Sequence, residues 1–162
     1  MVVLPYHFTP MTEPQARAIL QWRYEGPYAV YNCPPAELEE AVRQWLDPRL
    51  AYYAARDDAG ELVGFCCFGA DAQVPGGDYA ADALDVGLGL RPDLTGRGLG
   101  PGFVAAVLDL GQRLLRPRRF RLTVMAANRR AIRAYEKAGF RVSHTFSHPG
   151  RPGRQEWVQL LL

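Results

Sequence analysis

At 162 residues the chain has the length of a single domain with a full core, expected over 1–162. Hydrophobic residues at 48%, charged residues at 22% and a net charge of +2 describe an ordinary soluble globular protein and give no argument for a nucleic-acid partner or a membrane surface. Cys33, Cys66 and Cys67 have neither metal-ligand spacing nor a disulfide framework, and no stretch reads as a signal peptide or a membrane span. The expectation is a cytoplasmic protein with no metal.

In chain order, Val2 to Phe8 is a short apolar run that predicts an edge strand. Thr12 then caps a helix, with Gln15 in capping-box position, Pro14 in the first turn and Ala16, Ile19 and Leu20 along one side. Trp22, Tyr24, Tyr28 and Tyr31 follow, interrupted by Gly26 and Pro27, and this spacing suits a pocket wall better than a helix stripe. A second helix is predicted from Pro35 to Trp45, with Leu38, Val42 and Leu46 inward and Asp47-Pro48 as its stop. Leu50 to Arg56 and Glu61 to Gly69 form a hairpin around Asp57-Asp58-Ala59-Gly60, and Ala70 to Ala81 is a loop.

A strand from Leu84 to Leu90, a glycine-rich turn from Thr95 to Gly100 and a helix carrying Phe103, Val104, Val107, Leu108, Leu110, Leu114 and Leu115 come next. Gly96, Gly98 and Gly100 remove side chains where a helix presents its unpaired N–H groups, which suits a phosphate or pyrophosphate. Arg113, Arg116, Arg118, Arg119 and Arg121 then read as a solvated cap of that helix's C-terminus. From Phe120 another strand leads to a helix capped by Asn128 and closed by Gly139. Phe140 to Phe146 and Gln155 to Leu161 are two final strands joined by a loop from His148 to Gly153. The order is an α/β domain with a mixed sheet.

The strand, the Pro and the glycine turn, followed by Asn128, Ala131, Tyr135, Gly139 and Phe140 at their spacings, resemble the acyl-CoA-binding core of the GNAT N-acetyltransferase superfamily. The two blocks span about a third of the chain. One departure is Thr95, where the family usually has Arg or Gln; Arg97 is the neighbouring cation that could stand in for it. The resemblance implies a mostly antiparallel central sheet flanked by helices. It also implies acetyl-CoA as cosubstrate and transfer of its acetyl group to a primary amine of a small molecule or peptide, by direct attack in a ternary complex. The chain would be a monomer or homodimer.

By the same resemblance, the backbone of Leu88, Gly89 and Leu90 would pair with pantetheine, with Gly87 and Gly89 fitting a bulge or close approach. Gly96, Arg97, Gly98, Leu99, Gly100 and Pro101 would hold the pyrophosphate, and Asn128 either helps or simply caps its helix. Tyr135 takes the general-acid position and Asp85 that of the base, while Trp22, Tyr24, Tyr28 and Tyr31 border the acceptor. Glu25 and His144 are lesser candidates. Two further readings stay open at this point: a non-catalytic acyl-CoA-binding module on the same scaffold, and a nucleotide-phosphate protein, which the absence of Gly-Lys-Ser/Thr disfavours.

Overall fold

The structure, a computed structural model, describes residues 5–150 and 155–162. The elements are β1 (His7–Pro10), α1 (Glu13–Leu20), α2 (Leu38–Trp45), β2 (Tyr52–Arg56), β3 (Leu62–Phe68) and β4 (Leu84–Leu90). They continue as α3 (Gly100–Leu115), β5 (Phe120–Met125), α4 (Arg129–Lys137), β6 (Arg141–Ser147) and β7 (Glu156–Leu161). The predicted order is thus the observed one. The expected first strand begins later, its residues 1–4 lie outside the described residues, and so do residues 151–154 of the last loop.

The seven strands form one sheet in the order β1-β2-β3-β4-β5-β7-β6. Every neighbouring pair is antiparallel except β4 and β5, which run parallel. Helix α3 connects those two strands, as a parallel crossover requires. Their pairing is short, running from Leu84↔Phe120 to Val86↔Leu122, and β4 continues to Leu90 without it.

Alternation sorts side chains between two faces of the sheet. Val86 and Leu122 share a core with Phe103, Val104 and Val107 of α3 and with Ile132, Tyr135 and Phe140 around α4. At about 25 cal/mol per Å² of apolar surface removed from water, each such large side chain contributes roughly 1.5–3 kcal/mol. The other face carries Cys67, Phe65 and Asp85, and Trp45 at the end of α2 packs on it, its ring 4.8 Å from that of Phe65. Leu46, expected inward, is 37% exposed because α2 ends at Trp45, and Leu114 and Leu115 at the end of α3 are about half exposed.

The start of α1 is held as expected, with the Thr12 N–H donating to Gln15 Oε1 at 3.0 Å. The end of α4 matters more for the site. Gly139 has φ +102°, its N–H donates to the Glu136 carbonyl, and the Phe140 N–H donates to the Tyr135 carbonyl, both at 3.0 Å. This is the left-handed glycine stop with its paired return bonds, and it brings the Phe140 ring to 6.2 Å from that of Tyr135. Two residues after the helix therefore fix a side chain within it.

Candidate active site

Where β4 and β5 part, the sheet opens into a cavity of about 750 Å³. Backbone direction explains which groups face it. Gly69 N–H donates to Asp85 O, and Arg91 N–H to Val63 O, so odd-numbered residues of β4 turn their polar groups toward β3. Leu84 N–H donates to Arg119 O, so even-numbered residues turn theirs toward β5. Past Val86 that partner is gone, and Leu88 presents its peptide groups to the opening. Leu90 does so only in part, because its carbonyl accepts from the Tyr24 hydroxyl at 2.6 Å.

Gly89 corrects the expectation. Its peptide groups face β3, where it stands opposite Phe65, and the β3–β4 register runs without a shift, so there is no bulge at Gly87 or Gly89. What these positions need is room beside them. A Cβ on Gly87 would meet Cys67 Sγ at 2.8 Å, and one on Gly89 would run into the Phe65 ring. The glycines let β3 side chains lie across β4 and wall the cavity; Phe65 and Cys67 both line it.

One end of the cavity is built for negative charge. Gly96 and Gly98 have φ +73° and +77°, conformations in which a side chain is strained, and both line the opening with Gly100 and Pro101 at the start of α3. A Cβ at Gly100 would sit 3.1 Å from that of Ala134, so this glycine also lets α4 pack close. Arg130, Arg133 and Lys137 of α4 line the same region. Arg97 and Leu99, by contrast, are exposed and do not line the cavity, since the turn points their side chains away. Thr95 folds back, its hydroxyl donating to Pro92 O at 2.7 Å. The cations come instead from α4, at positions 130, 133 and 137, a helical stripe that the sequence displays and that reading it for glycines alone passes over.

Asn128 serves as a cap, accepting from Ala131 N–H at 3.2 Å, and its amide donates to the Tyr31 hydroxyl at 3.1 Å. The Arg130 guanidinium lies 3.9 Å over the Tyr28 ring. These two contacts strap the Gly26–Tyr31 turn to the beginning of α4. Trp22, Tyr24, Tyr28 and Tyr31 all line the cavity, though Tyr28 and Tyr31 face the cationic end. Glu25 does not line the cavity but borders, with Arg23 and Asp93, an adjoining depression that shares Tyr24, Tyr28, Thr95 and Arg130 with it. His144 is on the exposed strand β6, stacked on Phe146 and away from the cavity.

Tyr135 is 7% exposed and lines the cavity from α4. Burial pushes its phenol above the usual value, so it stays protonated in neutral solution, and its hydroxyl has no hydrogen-bond partner among the described residues. Asp85 is different. It is 4% exposed, and both its oxygens are held by Arg121, from Nε at 2.6 Å and Nη2 at 2.9 Å, with Gln73 Nε2 at 2.9 Å as a third donor. It does not line the cavity. The shared face of Asp85 and the two glycines is covered by Cys67 and Phe65, which leaves the carboxylate facing Arg121 across the parallel pair.

Arg121 likewise leaves the predicted solvated cluster. It is 3% exposed, its Nη1 donates to Ala81 O at 3.2 Å and its guanidinium lies 4.9 Å from the Tyr79 ring centre. The carboxylate beside it raises its already high pKa. Together Asp85 and Arg121 clamp β4 to β5 just before the strands part, and tie down the 73–81 loop. Sequence reading also passed over Trp45, Tyr52 and Asp71, on the β2–β3 side of the cavity, and Trp157 of β7, which lines it beside the end of β5.

Residues 16–140 match the acetyltransferase (GNAT) family. The chain belongs to the GNAT acetyltransferase family. It is 35% identical over 120 residues to the mycothiol acetyltransferase of Propionibacterium freudenreichii subsp. shermanii, an alignment that covers 71% of this GNAT chain and 36% of that protein. The chain thus spans about a third of the length of that relative.

Among solved structures, the aminoglycoside acetyltransferase AAC(6')-Ib in complex with coenzyme A superposes with a TM-score of 0.74 at 21% identity, over 97% of this chain and 94% of that one. A mutant of the spermidine N-acetyltransferase SpeG from Vibrio cholerae gives 0.70 at 16% identity, over 98% and 93%. A putative acetyltransferase from Acinetobacter baylyi gives 0.73 at 20% identity, over 97% and 92%. These likenesses establish the GNAT fold. No helix among the described residues is long and apolar enough to cross a membrane.

Proposed function

We propose that this chain is an N-acetyltransferase that uses acetyl-CoA as cosubstrate and acylates a primary amine of a small molecule or peptide by direct attack in a ternary complex. The observation that carries the reading is the cavity at the parting of β4 and β5. It joins a phosphate-suited end, made by Gly96, Gly98, the start of α3 and three α4 cations, to an aromatic end beyond Leu88. The residues fit the donor: backbone donors and cations for a diphosphate, and an unpaired strand edge for an amide-bearing arm.

At the junction, the Leu88 N–H lacks its β5 partner and is oriented to donate to a thioester oxygen as negative charge develops there. Donors of this kind contribute about 3–4 kcal/mol in well-studied oxyanion holes. Tyr135 holds a proton at its hydroxyl for the departing sulfur, and burial keeps that proton in place. Asp85, engaged by Arg121, has no part in proton removal in this reading; the amine's proton leaves through water in the cavity.

The test combines calorimetric titration of coenzyme A with a thiol-release screen of acetyl-CoA against amines, amino acids, antibiotics and peptides. Binding with amine-dependent thiol release is expected. No binding refutes the reading, and binding without release from any amine makes the chain an acyl-CoA-binding module instead.

A further inference from the structure

Among the described residues lining the cavity, Asp71 is the one carboxylate. It stands at the end of β3, in the short 3₁₀ turn Ala70–Ala72, opposite the cationic end of the cavity. Two donors hold it from different elements: Gln44 Nε2 of α2 at 2.5 Å on Oδ1, and the Tyr52 hydroxyl of β2 on Oδ2. Each carboxylate oxygen has room for two hydrogen bonds, so both keep acceptor capacity. Around it the wall is aromatic. The Trp45 ring stacks on Tyr52 at 4.6 Å and lies 4.8 Å from Phe65, and Trp22 lines the same cavity.

Neighbouring groups do not cancel the charge. The Cys67 thiol, pushed up to about 12 by burial, is neutral, and so is the Tyr52 phenol, whose pKa burial raises further. The cavity's cations, Arg130, Arg133 and Lys137, all belong to α4. One cavity therefore runs from a positive mouth to a single fixed negative charge walled by aromatic rings. A carboxylate beside aromatic faces recognises a cation with apolar substituents, by charge and by the ring quadrupoles together.

We propose that Asp71, positioned by Gln44 and Tyr52, is the specificity determinant of the acceptor site, and that it selects amines carrying a second, non-reacting positive charge on an apolar body. This rests on the acetyltransferase reading. Asp71 binds the distal cation and does not act on the attacking amine.

The test uses two acceptors of equal shape, para-(aminomethyl)phenyltrimethylammonium and para-tert-butylbenzylamine, which differ in that distal charge. Affinities are measured by calorimetry with and without coenzyme A, and KM and kcat by thiol release. The wild-type chain is expected to favour the ammonium compound by about tenfold or more in Kd and KM. Asp71→Asn is expected to erase that ratio, raising KM for the cation with kcat within about threefold, while Asp71→Glu restores much of it. Equal wild-type affinities, or a preference that survives in Asp71→Asn, overturn the proposal; the wild-type ratio decides even where a variant fails to fold. Loss of coenzyme A binding in the wild type defeats the acetyltransferase reading separately.

Discussion

Replacing Asp85 by Leu distinguishes a structural carboxylate from a catalytic one. The substitution would leave the Arg121 guanidinium, 3% exposed, without the two bonds at 2.6 and 2.9 Å that balance its charge. Its remaining partners, the Ala81 carbonyl at 3.2 Å and the Tyr79 ring, carry no full negative charge. Breaking a buried ion pair from one side costs about 3–5 kcal/mol. For a domain of this size each kcal/mol moves Tm by about 2–4 °C, so a fall of roughly 6–20 °C is expected. Removing both charges in Asp85→Leu/Arg121→Met should recover most of that loss, because two apolar side chains need no charge partner. The double-mutant cycle, followed by thermal denaturation, should give a coupling of at least about 2 kcal/mol. The kinetic arm is the thiol-release rate of the double variant, expected within about tenfold of wild type. A single variant of unchanged Tm whose turnover collapses, with the double variant equally inactive, would show Asp85 to be a base and refute the reasoning.

Tyr135→Phe should lower kcat by about 10²–10⁴-fold with acetyl-CoA affinity within threefold; unchanged turnover removes the phenol from the mechanism. Gly139→Ala places a Cβ at φ +102° and 3.0 Å from Leu162 Cδ1, so stability should drop by about 1 kcal/mol or more in denaturant titrations, and kcat should fall with it as Tyr135 loses its anchored position. Arg130→Ala removes a cation at the glycine-turn end of the cavity and its stack on Tyr28; coenzyme A Kd should rise by about fivefold at low salt and by less at high salt, and a salt-independent change would point away from charge. Burial raises the phenol of Tyr24 to about 12 and also lifts that of Tyr135, so the folded chain holds these protons more tightly than the unfolded one. Their contribution is intact below pH ~10 and is lost as pH rises from there through about 12, which equilibrium unfolding across that range should show as declining stability.

The linear order of strands and helices was legible because each carries its own period and its own stops: the Thr12–Gln15 cap, the Gly139 stop, and the alternation within β4. The glycine turn before α3 and the place of Tyr135 on α4 were legible for the same reason, since their spacing is local. What one dimension could not show is which neighbours each strand meets. Asp85 and Gly89 looked available because nothing in β4 says that Arg121 lies across the parallel pair, or that Phe65 crosses from β3. Arg121 sat in a run of arginines whose other members end a helix, and only its pairing with β4 buries it. Asp71, Tyr52 and Gln44 come from three separate elements, and the folded chain alone brings their side chains together. Local sequence thus determined the elements and their caps, through bonds made within a few residues. The tertiary structure decided which charges are neutralised and which face the cavity, because charge balance depends on distances in space that sequence separation does not encode.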